Sequence, residues 1–223
     1  VHHHKKSIVT QREVGFDTHS FGHALKNTLR QAPDVILIGE IRDTETMEAA
    51  ITFAETGHLC LGTLHSNNAN QSIERIMNFF PVERHAQIYL QLSLNLRAII
   101  SQRLIPSLDG RRVPALEIML DTPRIKDLIK RSEIDTLKEA MEQGIDEGCQ
   151  TLDHVLLQLY KAGKISIEQA LINADSANNL RLKIKLAGLK GDDAVAALLD
   201  KNDRDEKGFQ IQGQLGQGGS KKR

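Results

Sequence analysis

The sequence predicts an α/β fold in which a mostly parallel sheet is followed by a small all-helical domain. Residues 35–38 and 59–64 are short apolar segments of the kind that form buried strands, and a helical pattern of apolar residues separates them. Strand, helix and strand in that order form the crossover that joins parallel strands. Beyond Thr122, apolar residues recur only in short helical patterns. The 223 residues are enough for one large domain or two small ones.

The first predicted helix precedes the first strand. Ser20 is a favourable N-cap residue, because its hydroxyl can accept a hydrogen bond from a free amide of the first helical turn. Phe21, Leu25 and Leu29 follow at four-residue spacing. Pro33 ends this helix, since proline has no amide hydrogen and cannot continue a helical ladder.

The two predicted strands are joined by a second helix. Residues 35–38 are continuously apolar and mostly β-branched, which is typical of a central strand covered on both faces. Residues 44–55 have helical character, and Gly57 is a favourable stop. The apolar face of this helix consists of Met47, Ala50, Ile51 and Ala54. Residues 59–64 then form the second strand.

Further helices and a hairpin follow the second strand. Residues 73–77 are part of a helix that Pro81 ends, and residues 88–100 carry apolar residues at helical spacing. Between residues 103 and 118, two apolar segments flank an Asp-Gly turn at residues 109–110, which is a strong hairpin signal. These two helices are expected to pack on the sheet.

The carboxyl-terminal part of the chain is predicted to be helical and then disordered. Residues 128–129, 152–159 and 167–172 belong to short helices of a domain expected to span residues 121–200. Residues 201–223 lose apolar periodicity and become rich in Gly and Gln, so this tail is expected to be disordered.

Composition excludes several classes of function. With 29 basic and 29 acidic residues and only 4% aromatic residues, the chain has neither a basic groove nor a stacking platform for nucleic acid. No segment approaches the roughly 18 consecutive apolar residues of a membrane-spanning helix. Cys60 and Cys149 are too far apart in sequence to suggest a zinc ligand set, so no metal ligands are assigned. A cytoplasmic protein is expected.

The candidate site lies where the two predicted strands end. Glu40 follows the first strand, and His65 follows the second, with a polar cluster at residues 66–68. Ligands of open α/β sheets bind outside the carboxyl ends of the strands, so a carboxylate there can orient a water molecule and an imidazole can reach a phosphate. Either residue alone is more often a solvated or structural one. Two adjacent strand ends with ionisable groups favour a functional site.

Several segments resemble the PilT/PilU family of type IV pilus retraction ATPases, within the wider secretion ATPase superfamily. The similar segments are residues 7–15, 29–46, 56–65, 102–104 and 115–119. The resemblance implies the carboxyl-terminal part of a RecA-like P-loop NTPase core over residues 1–120. It further implies a motor that couples ATP hydrolysis to pilus disassembly and twitching motility.

The resemblance also implies roles for individual residues. The Gly-Glu-Ile-Arg-Asp segment at residues 39–43 resembles the Walker B region, and residues 56–65 resemble the His box. Glu40 and His65 are therefore expected to be catalytic. The residues expected to bind nucleotide are Arg12, Arg30, Arg42 and His58. The expected cofactors are ATP and Mg²⁺.

The family's phosphate loop is missing between Val1 and Arg223, where no Gly-x-x-x-x-Gly-Lys-Ser/Thr motif occurs. The backbone amides and the lysine of that loop normally cradle the nucleotide phosphates. In this family the loop would precede Val1. The chain is therefore expected to be the carboxyl-terminal part of a longer protein, and to be inactive alone.

The resemblance implies partners as well. A homohexamer or a ring shared with a partner retraction ATPase is expected, at the inner face of the inner membrane, next to a pilus platform protein. No nucleic acid is expected, and membrane association is expected only through partners. Residues 122–131 resemble a helix required for retraction rather than hydrolysis, although their charges alone indicate an amphipathic surface helix.

Two alternatives remain at this point. A pilus assembly or type II secretion ATPase typically carries a four-cysteine zinc element after the segment at residues 102–104, and residues 105–110 contain no cysteine, which favours the retraction branch. Residues 139–144 and 176–182 resemble PilU more than PilT, which implies an accessory motor. The second alternative is a non-enzymatic module that docks on the pilus machinery.

Overall fold

The computed structural model describes residues 4–188, which divide into two compact units. The first unit comprises residues 4–102 and 116–151, and the second comprises residues 103–115 and 152–188. The expected boundary at residue 120 therefore does not match this division, because residues 121–151 group with the first unit. Two predictions, the tail at residues 201–223 and the end of the helical domain at residue 200, lie outside the described residues.

The first unit is built around two parallel strands. Strand β1 (Val35–Ile38) pairs with β2 (Leu59–Gly62), with Val35 opposite Leu59 and Ile38 opposite Gly62. Helix α2 (Thr44–Glu55) forms the crossover between them. Asp43 is its N-cap, and the Asp43 Oδ1 atom accepts a hydrogen bond from the Thr46 amide at 2.8 Å. The predicted parallel pairing is confirmed. The second strand is shorter than expected, since it ends opposite the last residue of β1.

One face of this strand pair is covered and the other is exposed. Ile36 and Ile38 are buried against the helices, whereas Val35 and Leu37 are 52% and 64% exposed. Leu59 and Leu61, their partners on β2, are also about half exposed. The prediction of a strand covered on both faces is therefore wrong for the described residues, because their helices bury only one of its faces.

The remaining helices of the first unit form its core with the covered face. Helix α1 (Phe21–Thr28) begins at Ser20, whose Oγ accepts from the His23 amide at 3.1 Å, as predicted. The other helices are α3 (Ala69–Met77), α4 (His85–Asn95), α5 (Pro123–Lys130) and α6 (Leu137–Gln143). Helices α5 and α6 belong to this core because they bury apolar residues in it, among them Ile125, Ile129, Leu137 and Met141.

A long hairpin follows α4. Its strands are β3 (Ala98–Pro106) and β4 (Arg112–Leu120), and the Ser107 amide donates to the Arg111 carbonyl at 2.9 Å to close the turn. The predicted hairpin is confirmed, with longer strands than expected. The helix expected at residues 88–100 is wrong beyond Asn95, because residues 98–100 pair across the hairpin and this pairing overrides their helical spacing.

The second unit is helical apart from the hairpin tip. Its helices are α7 (Leu152–Lys161), α8 (Ile167–Ile172) and α9 (Ala177–Leu186), of which the last is not predicted from the sequence. The buried core contains Ile105 and Ala115 from the hairpin together with Leu156, Ile165, Leu180 and Ile184. None of the helices within residues 4–188 has the length and apolar character needed to cross a membrane.

Candidate functional site

The two loops that leave the carboxyl ends of β1 and β2 are tied together by hydrogen bonds. The Ile41 amide donates to the Thr63 carbonyl at 3.0 Å, and the Thr63 hydroxyl donates to the Gly39 carbonyl. Gly62 fits this close packing, since a Cβ atom there would lie 2.8 Å from the Cδ1 atom of the buried Ile41. The strand ends are therefore held side by side, as the parallel topology predicts.

Glu40 and His65 meet at this edge of the sheet. The His65 Nε2 atom lies 3.0 Å from the Glu40 Oε1 atom, and the Arg42 guanidinium forms an ion pair with the Glu40 Oε2 atom. The Glu40 side chain is 21% exposed, whereas that of His65 is 77% exposed. A single carboxylate thus connects both strand ends, and its Arg42 and His65 partners face solvent.

The surroundings of Glu40 favour its ionised form. The hydrogen bond from Arg42 lowers the pKa of the Glu40 carboxyl, desolvation partly opposes this shift, and the fields of Arg42, His65 and Arg75 lower the pKa further. The same pair raises the pKa of the Arg42 guanidinium. Glu40 is therefore a carboxylate at neutral pH, ready to accept hydrogen bonds. The energy of such an exposed ion pair is small and screened by salt.

Arg75 is a residue of this cluster that sequence reasoning missed. It lies on the exposed side of α3, whose buried face includes Ile73, Ile76 and Met77. Its field acts on Glu40 although 35 positions separate the two residues in the sequence. The helical pattern identifies Arg75 as a surface residue, but only the packing of α3 beside the strand ends relates it to Glu40.

The other predicted site residues lie elsewhere. His58 precedes β2, at the opposite end of the strand pair from His65, and its Nδ1 atom lies 3.0 Å from the Thr56 hydroxyl. Arg12 is exposed in the segment before α1, and Arg30 is exposed in the 3-10 turn that follows α1. Neither arginine is among the charges that act on Glu40. The structure thus brings together Glu40, Arg42 and His65, and leaves His58, Arg12 and Arg30 outside this cluster.

Residues 4–183 match the family described as Type II/IV secretion system protein. The chain belongs to this family. Among curated members, the type IV pilus ATPase PilU of Pseudomonas aeruginosa is 56% identical over 199 residues, which is 89% of this chain and 52% of that protein. The pilus retraction ATPase PilT of the same organism is 45% identical over 179 residues, which is 80% of this chain and 52% of that protein.

A solved structure of this secretion family agrees with the fold. The crystal structure of the pilus retraction motor PilT with bound ADP has a TM-score of 0.72 and 45% identity, covering 79% of this chain and 50% of that one. The predicted α/β fold class and the resemblance to the PilT/PilU family are thus confirmed. The chain spans about half the length of the curated relatives it matches.

Proposed function

We propose that this chain is part of a type IV pilus retraction ATPase, a motor that couples ATP hydrolysis to pilus disassembly and twitching motility. The observation that carries the proposal is the contact between Glu40 and His65 at adjoining strand ends, in a chain 56% identical to PilU. A carboxylate and an imidazole at this edge of a parallel sheet suit phosphoryl transfer to water.

Glu40 is proposed to orient the attacking water. Phosphoryl transfer requires mainly positioning and charge stabilisation, so a carboxylate that accepts a hydrogen bond from water can direct its lone pair at the phosphorus. The lowered pKa keeps Glu40 ionised for this task. Its oxygens now accept from Arg42 and His65, and each of these side chains can exchange for a water molecule because both are largely exposed.

Arg42 and His65 are proposed to bind the γ-phosphate. Both present donors to solvent beside Glu40, and a bound phosphate would compete with the Glu40 carboxylate for these donors. Phosphate binding would then free the Glu40 oxygens to accept a hydrogen bond from water. Until nucleotide binds, Arg42 and His65 would occupy these oxygens. Arg12, Arg30 and His58 are proposed to contribute to nucleotide binding rather than to the chemical step.

The residues of this chain fit ATP and Mg²⁺ only in part. Among residues 4–188 there is no group of three or more His, Cys, Asp or Glu side chains that could hold a metal ion. Glu40 offers carboxylate oxygens, which Mg²⁺ accepts as ligands together with water and nucleotide phosphates. When bound, Mg²⁺ would neutralise phosphate charge. The phosphate loop would have to come from residues outside Val1 to Arg223.

The proposal extends to partners and location. We place the complete protein in a hexameric ring, formed by identical subunits or shared with a partner retraction ATPase, on the cytoplasmic side of the inner membrane beside a pilus platform protein. The higher identity to PilU than to PilT supports an accessory motor. A non-enzymatic docking module is the second candidate, and turnover by the complete protein distinguishes the two.

Glu40→Gln in the complete protein tests the proposal. We expect ATP turnover to fall by at least about 100-fold, because a neutral amide orients and activates the attacking water less well than a carboxylate. ATP binding should be retained. Glu133→Gln, at an exposed glutamate after α5, is the matched control and should keep full turnover. Unchanged turnover in Glu40→Gln would contradict the assigned role. Absence of turnover in the complete wild-type protein would favour the docking module.

A further inference from the structure

Glu117 is a buried carboxylate at the amino end of α3. It lies on β4, is 4% exposed, and its Oε1 atom accepts a hydrogen bond from the Ala69 amide at 2.7 Å. Ala69 is the first residue of α3, so this amide has no acceptor within the helix. A carboxylate at this point also interacts favourably with the helix dipole. Glu117 therefore fixes the start of α3 against the hairpin.

The start of α3 in turn holds the segment that carries His65. The Ser66 and Ser72 hydroxyl oxygens lie 2.7 Å apart, and the Asn68 Oδ1 atom accepts from the Gln71 amide at 2.9 Å. Ser72 is buried, so its hydrogen bond with Ser66 is shielded from water. The three residues between His65 and α3 are thus tied to the first turn of the helix. His65 follows any displacement of that turn.

Helix α3 also carries Arg75. Of the three side chains whose fields lower the pKa of Glu40, Arg42 follows β1, whereas Arg75 lies on α3 and His65 lies in the segment just before it, residues 65–68. A displacement of α3 would therefore move two of the three away from the carboxylate together. The contact between Glu117 and Ala69 is the point at which β4 controls this group.

We propose that Glu117 is a positioning residue of the Glu40 site, which acts by holding the amino end of α3 and with it His65 and Arg75. In this role it acts through the Ala69 amide rather than on the reacting groups directly. The inference rests on the proposed function where turnover is the measurement. It stands on geometry alone where the order of residues 65–69 is measured.

Steady-state turnover of the complete protein is the first test. We expect Glu117→Ala to lower kcat per folded protein by roughly 10- to 100-fold, because displacement of a reacting group by about 1 Å costs rates of that order. The KM for ATP should stay within about threefold, since the proposed role is to position His65 for the chemical step. An unchanged kcat would overturn the inference.

Asp153→Asn is the matched control. Asp153 is also buried, and it accepts hydrogen bonds from the Asp175 and Ser176 amides at 2.8 and 3.3 Å, just before α9 in the second unit. Its replacement should lower stability without changing kcat per folded protein. An equal loss of kcat in Asp153→Asn would show that general destabilisation explains the Glu117 effect, and would also overturn the inference.

Two conservative variants keep the test decisive even where Glu117→Ala fails to fold. Glu117→Gln keeps an oxygen that can accept from the Ala69 amide and loses only the negative charge. It should therefore keep kcat within about threefold. Glu117→Asp retains the charge but withdraws it by one methylene group. We expect Glu117→Asp to lose more kcat than Glu117→Gln, and the reverse order would contradict a positioning role.

A double-mutant cycle shows whether Glu117 acts through His65. If it does, adding Glu117→Ala to His65→Ala should lower kcat much less than Glu117→Ala does alone. Losses that multiply fully would mean that Glu117 acts by another route. Hydrogen exchange separates this inference from the proposed function: Glu117→Ala should speed exchange of the amides at residues 65–69 even where wild-type turnover is absent, and Asp153→Asn should not.

Discussion

At the carboxyl end of the β1–β2 pair, the His65 ring is largely exposed and contacts the Glu40 carboxylate. At the amino end of the same pair, the His58 Nδ1 atom lies near the Thr56 hydroxyl and 3.2 Å from the Phe53 carbonyl, and its ring meets the edge of Phe53. Two histidines seven residues apart thus have different surroundings. A backbone carbonyl and a neighbouring hydroxyl hold the His58 ring, whereas the largely exposed His65 ring has a side-chain partner that a ligand can replace.

His65→Ala removes the contact at the carboxyl end, and we expect it to have a larger effect than His58→Ala or Arg42→Ala. Its ring is proposed to bind the γ-phosphate, so its loss should reduce kcat of the complete protein by about 100-fold, as for other groups that stabilise transition-state charge. Steady-state kinetics with ATP would measure this. The His65 side chain is 77% exposed, so the melting temperature should hardly change, and a large drop would indicate a structural role.

His58→Ala breaks the amino-end arrangement and should act on stability. It removes one partner of the Thr56 hydroxyl and the ring contact with Phe53, so the free energy of unfolding should fall by about 1 kcal/mol. Urea denaturation measures this change. We expect kcat to remain within about threefold of wild type, since His58 lies away from the Glu40 cluster. A loss as large as that of His65→Ala would remove the contrast between the two ends.

Arg42→Ala sharpens the comparison through the titration of Glu40, a smaller change than the losses of activity and stability expected above. The Arg42 hydrogen bond is the largest cause of the lowered pKa of Glu40, so its removal should raise this pKa. A carboxyl with a lowered pKa stabilises the fold above the pH range where it titrates in the unfolded chain. That contribution is lost as pH falls through the folded-state pKa.

The measurement for Arg42→Ala is an NMR titration of the Glu40 carboxyl carbon. In the variant the midpoint should move to higher pH, and the part of the folding stability that depends on ionised Glu40 should be smaller at neutral pH than in the wild type. Arg12→Ala is the control, because Arg12 is not among the charges that act on Glu40. Equal midpoints in the wild type and Arg42→Ala would show that the ion pair does not form in solution.

Much of the fold was predictable because its signals are local. The Ser20 cap, the helix at residues 44–55 and the hairpin turn at residues 109–110 each depend on neighbouring residues, and all three are confirmed. The pairing of Glu40 with His65 followed from parallel topology. Arg75 and Glu117 were not predictable, since their roles depend on how α3 packs, and no local pattern encodes that.

The wrong predictions also have a physical origin. Apolar spacing at residues 96–100 fits a helix as well as a strand, and only pairing across the hairpin decides between them. An apolar strand likewise indicates burial without saying what covers each face. The resemblance supplied the functional reading of the strand ends, whereas the residues alone identified only a carboxylate and an imidazole near each other.

The exposed face of the strand pair has a practical consequence for biochemistry on residues 1–223. This face carries four exposed apolar side chains, those of Val35, Leu37, Leu59 and Leu61. Within residues 4–188, each of the two strands also has one edge that no other strand pairs with. Unpaired edges can pair with strands of other molecules, and charged residues or proline usually prevent this in native proteins. A preparation of this polypeptide would associate through its strands in a concentration-dependent way. In size-exclusion chromatography of residues 1–223, an elution volume expected for a hexamer would therefore be weak evidence that a motor ring has formed.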